Sequence, residues 1–205
     1  MTNRIVTVFG QKGAGKTSRA IMEARSLDRV IFFDPRRQVP GSEGLIFIEA
    51  IPAMRYYVLN FKKKFRIVYQ PIDETEELSF VEGVRGFYDL TVVFDEVDTL
   101  SYPAVSWGDP IEHIYRYGRH QKIDIIATAR RPAEISRTVT QATDEFIVFH
   151  THEPRDIEYF SKALSVDYAE KIKALASPKP GENRIKGTHF LRIVPGSYVA
   201  ATTLP

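Results

Sequence analysis

Residues 10–17 of the chain read Gly-Gln-Lys-Gly-Ala-Gly-Lys-Thr, a complete G-x-x-x-x-G-K-[ST] pattern. The apolar run Ile5–Phe9 leads directly into this pattern, and a stretch compatible with a helix follows at residues 16–25. A strand, a glycine-rich turn and a helix in this order form a phosphate-binding loop. The chain is therefore predicted to fold as an α/β protein whose first strand ends at a nucleoside triphosphate.

The chemistry of the loop assigns a role to each of its parts. Glycines let the backbone wrap around phosphates, so that the N–H groups and the positive end of the following helix form a concave anion site. Lys16 adds a point charge, and the hydroxyl of Thr17 is suited to ligate Mg²⁺. The residues expected to contact the nucleotide are Gly10, Gln11, Lys12, Gly13, Ala14, Gly15, Lys16, Thr17 and Ser18.

A second apolar run, at residues 91–94, ends in two consecutive carboxylates, Asp95 and Glu96. At the end of a buried strand these side chains are expected to lie beside the phosphate loop. We assign Asp95 to the magnesium shell, reached through water, and Glu96 to the general base that orients and deprotonates the attacking water. Asp98 is interpreted as a local turn or capping residue.

Composition limits the remaining possibilities. The 205 residues suffice for one sizeable α/β domain, and we predict a single domain over residues 1–205. The net charge of +2 creates no overall field that demands a nucleic-acid or membrane partner. The absence of cysteine excludes disulfides and zinc–thiolate sites, and it fits a cytoplasmic protein. No apolar run reaches the roughly 18 residues that a membrane span needs.

Short apolar runs alternate with stretches of helical periodicity along the chain. Strands are predicted at residues 5–9, 30–33, 65–69, 91–94, 123–128 and 146–149. Helices are predicted at residues 16–25, 75–86, 110–121, 155–164 and 167–176. This alternation is typical of a mostly parallel, buried sheet flanked by helices. Residues 189–194 and 197–200, on either side of Pro195-Gly196, predict a C-terminal β-hairpin.

The stretch at residues 117–132, YGRHQKIDIIATARRP, is the most family-specific part of the chain. It resembles the FtsK/HerA superfamily of DNA-pumping ATPases, in which an arginine at a helix end precedes a strand followed by T-A-Q-R-P. Residues 141–149 resemble the stretch that leads into the last core strand of that family. The likeness covers residues 3–160, which we take as the core, with a C-terminal helix and hairpin over residues 161–205. It implies a P-loop NTPase fold of the RecA/FtsK-like ASCE class.

The resemblance also implies two further site residues. The family carries a γ-phosphate sensor, usually glutamine, before Arg-Pro; this chain has Arg130 there, so Arg130 or Thr128 is expected to take that role. Motors of this family complete each site with an arginine from the neighbouring subunit, and Arg119 corresponds to it by spacing. Arg116 and Arg137 are alternatives to Arg119. A cation that interacts only with the dipole of its own helix is the competing interpretation of Arg119.

In its small size the chain is most similar to the genome-packaging ATPases of membrane-containing icosahedral double-stranded DNA viruses. The resemblance implies a Mg²⁺-dependent ATP hydrolase that assembles as a homo-oligomeric ring, a hexamer or pentamer, and packages a viral genome into a procapsid. Its expected cofactors are ATP and Mg²⁺. Its expected partners are double-stranded DNA, bound without sequence preference, and capsid-vertex or membrane proteins of a virion. The expected location is the host cytoplasm or the virion.

Basic runs are the candidates for DNA contact. Lys62, Lys63 and Lys64 form the only dense run, and Arg36-Arg37 is the next. Lysines that neutralise phosphates give salt-sensitive, sequence-independent affinity, although such a run also suits a plain solvated surface. Two alternative functions stay open: a phage morphogenesis or secretion ATPase, and a small nucleotide or metabolite kinase. The Asp95–Glu96 pair argues against the kinase, which needs no water-activating carboxylate.

Overall fold

The computed structural model describes residues 3–61, 63–73, 75–100, 110–175 and 189–195. Eight strands form one sheet in the order β3-β4-β2-β5-β6-β1-β7-β8. Their bounds are β1 Ile5–Phe9, β2 Arg29–Phe33, β3 Ile46–Ile48, β4 Phe65–Tyr69, β5 Leu90–Phe94, β6 Ile123–Ala129, β7 Glu145–Phe149 and β8 Phe190–Ile193. Neighbouring strands run parallel except β7 and β8, which are antiparallel. The predicted mostly parallel α/β sheet is confirmed.

Seven helices connect these strands in the described part of the chain. They are α1 Lys16–Ala24, α2 Ile51–Asn60, α3 Thr75–Val84, α4 Pro110–Tyr117, α5 Arg137–Gln141, α6 Pro154–Ala163 and α7 Val166–Ala174. The helix predicted over residues 110–121 changes to a 3₁₀ turn at Gly118–Gln121. None of the helices that the structure describes is both long and apolar enough to cross a membrane.

The two faces of the sheet are covered unequally. Side chains alternate along each strand, so Ile5 and Phe9 point to one face and Val6 and Val8 to the other. The first face belongs to the large buried cluster, to which α2, α3, α4, α6 and α7 contribute. The second face belongs to a smaller cluster, in which α1 buries Ala20. The phosphate-loop helix therefore packs on the thinly covered face.

The order of the strands determines which loops meet. β6 lies between β1 and β5, so three adjacent parallel strands end side by side. Their carboxyl ends lead into the phosphate loop, into Arg130 and into Asp95–Glu96. Ligands of open α/β sheets bind at the carboxyl ends of the strands. The topology therefore brings together motifs that are far apart in the sequence. For example, Val8 and Thr128 are register partners although 120 residues separate them.

Three elements are missing from the sequence-based prediction: β3, α2 and the five-residue helix α5. β3 is a three-residue strand at the edge of the sheet, too short for an alternation signal. In α2 only Met54 and Val58 are buried, while Tyr56 and Leu59 are 61% exposed. These exposed apolar residues obscure the helical period. At the C-terminus, β8 pairs with β7, and the predicted hairpin partner at residues 197–200 lies outside the described residues.

Candidate nucleotide-binding site

The phosphate loop requires glycine at three positions. Gly13 and Gly15 have φ angles of +83° and +98°, in the left-handed region that other residues rarely adopt. Gly15 is also the residue that caps the N-terminus of α1. A Cβ atom at Gly10 would stand 2.8 Å from the Cβ of Phe149 on β7. The loop is therefore shaped by backbone conformation and by its close approach to β7.

Lys16 lies against the loop that it is predicted to serve. Its side chain is buried, and its Nζ donates a hydrogen bond to the carbonyl oxygen of Gln11 at 3.2 Å. Burial lowers the pKa of Lys16, and the carboxylates of Asp95, Asp98 and Glu96 oppose that shift. The partly desolvated ammonium group of Lys16 thus lies near three carboxylates, at the place where the phosphates of a nucleotide are expected to bind.

A chain of hydrogen bonds joins the loop to the ends of β5 and β6. Thr17 Oγ1 donates to Asp95 Oδ1 at 3.0 Å, and Thr128 Oγ1 donates to the same oxygen at 2.8 Å. The backbone N–H of Glu96 donates to Thr128 Oγ1 at 2.9 Å. Burial raises the pKa of Asp95, while the hydrogen bonds from Thr128 and Thr17 oppose the shift. Thr128 therefore fixes both acidic residues relative to the phosphate loop.

The oxygen donors at this point fit a magnesium ion shared with phosphates. Mg²⁺ is usually held by one or two carboxylates together with water and substrate phosphate oxygens. The adjacent Thr17 hydroxyl and Asp95 carboxylate provide such a partial set. Within the described residues no group of three or more His, Cys, Asp or Glu side chains could hold a metal by itself. The residues present thus suit an ion that arrives with its nucleotide.

Two arginines face the carboxylate of Glu96, which is buried and has a left-handed backbone with φ of 57°. Arg130 Nη2 donates to Glu96 Oε1 at 2.8 Å, and this hydrogen bond raises the pKa of Arg130. Arg36 Nε lies 3.5 Å from Glu96 Oε2. The side chains of Arg130 and Arg36 are 49% and 50% exposed, so both guanidinium groups face the cleft as well as the acid.

Arg36 is the site residue that sequence reasoning missed. The sequence shows only a basic pair, Arg36-Arg37, and nothing in that pair indicates contact with Glu96. The available signal was position, because the pair closely follows the predicted strand at residues 30–33 and therefore belongs to the same edge of the sheet as the phosphate loop.

The other predicted functional cations lie at the opposite edge of the sheet. Arg119 is exposed on the 3₁₀ turn that precedes β6, and Lys63 and Lys64 are exposed just before β4. Residues that precede parallel strands lie at the amino edge, away from the phosphate loop. Lys64 Nζ is 3.9 Å from an oxygen of Asp28, and Lys62 lies outside the described residues. Arg119 therefore does not reach the cleft of its own chain.

The alternatives to Arg119 also precede their strands. Arg116, on α4 before β6, lies 3.5 Å from Glu112 and 3.3 Å from the hydroxyl of Thr138. Arg137 is exposed at the start of α5, before β7. Neither residue lines the cleft around the phosphate loop.

The phosphate loop opens into a cleft of about 1120 Å³. At one end its walls are the loop, Asp95, Glu96 and the two arginines, Arg36 and Arg130. It continues along α1 to an apolar wall that includes Val39 and Pro40. Small-ligand pockets measure roughly 300–1,000 Å³, so a nucleoside triphosphate has ample room.

Comparisons with known proteins agree with the geometry. No protein-family profile matches the sequence. The chain is 24% identical over 190 residues to the DNA packaging ATPase P9 of Enterobacteria phage PRD1, a match that covers 90% of this chain and 81% of P9.

Solved structures show the same fold. The genome packaging NTPase B204 of Sulfolobus turreted icosahedral virus 2, in complex with ATP-gammaS, matches with a TM-score of 0.72 and 20% identity, over 99% of this chain and 97% of that one. VirB4 of Thermoanaerobacter pseudethanolicus matches with a TM-score of 0.62 and 12% identity, over 100% of this chain and 90% of that one. The chain is thus similar in sequence to a viral DNA-packaging ATPase and shares the fold of a second genome-packaging NTPase, which confirms the predicted resemblance to genome-packaging ATPases.

Proposed function

We propose that the chain is an ATP hydrolase that drives the packaging of a viral genome. The observation that carries this proposal is the hydrogen-bonded chain from Thr17 through Asp95 and Thr128 to Glu96, which sets an acid beside a phosphate loop. Its occurrence in a chain similar to P9 along 90% of its length supports packaging as the process served.

The residues of the cleft have distinct tasks in hydrolysis. Backbone N–H groups of the loop and the Lys16 ammonium bind the phosphates, and Thr17 and Asp95 are the residues that would hold Mg²⁺. When bound, Mg²⁺ supplies charge neutralisation at the phosphate oxygens. Glu96 accepts the proton of a water whose oxygen bonds to the γ-phosphorus. The bond between that phosphorus and the bridging oxygen breaks, and the diphosphate leaves with the electron pair.

Arg130 is the better of the two sensor candidates. The hydroxyl proton of Thr128 is committed to Asp95, so Thr128 has no proton left for a phosphate oxygen. Arg130 has a half-exposed guanidinium whose contact with Glu96 can be exchanged for one with a more highly charged phosphate. We assign Arg130 to γ-phosphate sensing and Thr128 to positioning.

The position of Arg119 supports a shared active site. Because Arg119 lies at the amino edge of the sheet, it can complete a site only in a neighbouring subunit. A homo-oligomeric ring that sets each amino edge against the next cleft provides that contact. The same edge carries Lys63 and Lys64, which we propose as non-specific contacts to double-stranded DNA.

Arg119→Ala is expected to lower steady-state ATP hydrolysis by on the order of 10³-fold, as loss of a trans-acting arginine does. Specific activity of the wild type should rise with protein concentration, since only assembled subunits are complete. Arg116→Ala, on the preceding helix, should keep most of the activity.

Mixing two inactive variants tests the trans arrangement directly. In a mixed ring, an Arg119→Ala subunit keeps its Glu96 and can receive Arg119 from a Glu96→Gln neighbour. Mixtures should therefore recover part of the wild-type rate. A mixture that stays inactive, together with a rate per subunit that is independent of concentration, would exclude Arg119 as a trans-acting residue.

A further inference from the structure

The loop after β2 places two side chains in the cleft that neither sequence motif includes. Arg36 Nε lies 3.5 Å from Glu96 Oε2, and Gln38 Oε1 lies 3.4 Å from Thr17 Oγ1. Both residues line the cleft. One short segment thus reaches the candidate base and the candidate metal ligand at the same time.

Asp34 holds this segment in its conformation. Its side chain is fully buried directly after β2. Asp34 Oδ1 accepts from the backbone N–H of Gln38 at 2.7 Å, and Oδ2 accepts from that of Val39 at 3.0 Å. Gln70 Nε2, following β4, donates to Oδ2 at 3.0 Å. Three donors on one buried carboxylate fold the loop back over the end of β2, which turns Gln38 towards Thr17.

The two neighbouring arginines of the loop are directed to different places. Arg37 has a left-handed backbone, with φ of 53°, and its guanidinium donates to Glu49 at 2.7 Å and to Gln70 at 3.3 Å. It does not line the cleft, whereas Arg36 does. The loop therefore places Arg36 in the cleft, whereas the adjacent Arg37 is held outside it by its hydrogen bonds to Glu49 and Gln70.

We propose that Arg36 is a second γ-phosphate-binding residue and that Asp34 positions it by folding the loop. This inference rests on the proposed function, because it assumes that the cleft binds a nucleoside triphosphate. A guanidinium binds phosphate oxygens in a bidentate fashion, and a terminal phosphoryl group carries more charge than a carboxylate. The γ-phosphate therefore draws Arg36 away from Glu96.

Transfer of Arg36 from acid to phosphate links recognition to chemistry. In the structure, Arg130 and Arg36 each contact one oxygen of the Glu96 carboxylate. A triphosphate draws both arginines away and leaves the two carboxylate oxygens open to the attacking water. A diphosphate has no γ-phosphate to compete, so the arginines stay on Glu96. The segment thereby lets the site distinguish the triphosphate substrate from the diphosphate product.

The test is calorimetric titration of AMPPCP and of ADP, both with Mg²⁺, into wild type, Arg36→Ala and Arg37→Ala. Arg36→Ala should weaken AMPPCP binding by about 10- to 100-fold, the value of one charged hydrogen bond, and change ADP binding by less than about 2-fold. Arg36→Lys should recover part of the loss. Arg37→Ala removes the same charge from the same loop and should leave the ratio of the two affinities unchanged.

Asp34→Asn provides a second variant that keeps the size of the side chain. It should lower the ratio of AMPPCP affinity to ADP affinity, because the loop loses its ordered conformation. A far-UV circular dichroism spectrum like that of the wild type would show that the variant is folded. If Arg36→Ala weakens both nucleotides equally, or neither, the inference about Arg36 is wrong while the proposed function stands. If the wild type binds neither nucleotide, the proposed function itself fails.

Discussion

Glu96→Gln is expected to lower ATP turnover by about 10²- to 10⁴-fold, the usual contribution of a general base. The amide keeps the size of the side chain and can still accept the hydrogen bond from Arg130, but it cannot take a proton from water. The phosphate loop, Lys16 and Thr17 are untouched. The affinity for ATP-gammaS should therefore remain within about 3-fold of the wild-type affinity, because a hydrogen bond that is weakened but not lost changes the free energy little.

Steady-state phosphate release and nucleotide titration on the same preparation measure the two effects. Glu134→Gln is the matched control, because it removes the same charge from an exposed residue that pairs with Arg131 at 3.2 Å. Hydrolysis by Glu96→Gln at more than half of the wild-type rate would remove Glu96 from the mechanism.

Lys16→Met is expected to weaken nucleotide binding by about 100-fold or more, since each charged contact with phosphate contributes roughly 1.5–3 kcal/mol and an ammonium group has three donors. Methionine keeps the apolar stem of this buried side chain, so the loss reports charge rather than packing. It also removes the positive charge that opposes the carboxylate of Asp95, so this carboxylate repels the phosphates more strongly.

Titration of ATP-gammaS measures this loss, and thermal unfolding without nucleotide checks that the fold is retained. Lys12→Met serves as the comparison, because Lys12 lies in the same loop but is exposed. A variant at Lys16 that binds no more weakly than the one at Lys12 would contradict the role given to Lys16.

The central parts of the site were predictable because each is local in sequence. Gly10–Thr17 and Asp95–Glu96 each follow a buried strand, and parallel strands bring such positions to a common edge. The comparisons with P9 and B204 agree with the predicted resemblance to genome-packaging ATPases. The structure adds the hydrogen bonds that join these motifs.

Arg36 was not predictable in this way. Its contact with Glu96 depends on a turn of the chain that the buried Asp34 imposes through hydrogen bonds to Gln38 and Val39. A sequence pattern shows that an aspartate follows a strand, but not that it folds the next loop back over the sheet. The same holds for Thr128, whose role depends on the proximity of β5 and β6.

The edges of the sheet were the least predictable part of the fold. β3 has three residues and depends on pairing with β4 rather than on its own propensity. β8 joins the sheet antiparallel to β7, through contacts that are more than 40 residues apart in sequence, such as Phe149 with Phe190. Such non-local pairing leaves no periodic signal in the sequence.

ATP hydrolysis measured with linear double-stranded DNA, with single-stranded DNA and without DNA tests the packaging assignment most directly. Double-stranded DNA should raise the rate of assembled wild-type protein. The increase should fall steeply as salt rises and be smaller in a variant with Lys62, Lys63 and Lys64 replaced by alanine, because phosphate contacts release counterions. A rate that is indifferent to DNA at every protein concentration would contradict a role in DNA packaging, and the cleft would then serve some other ATP-dependent process.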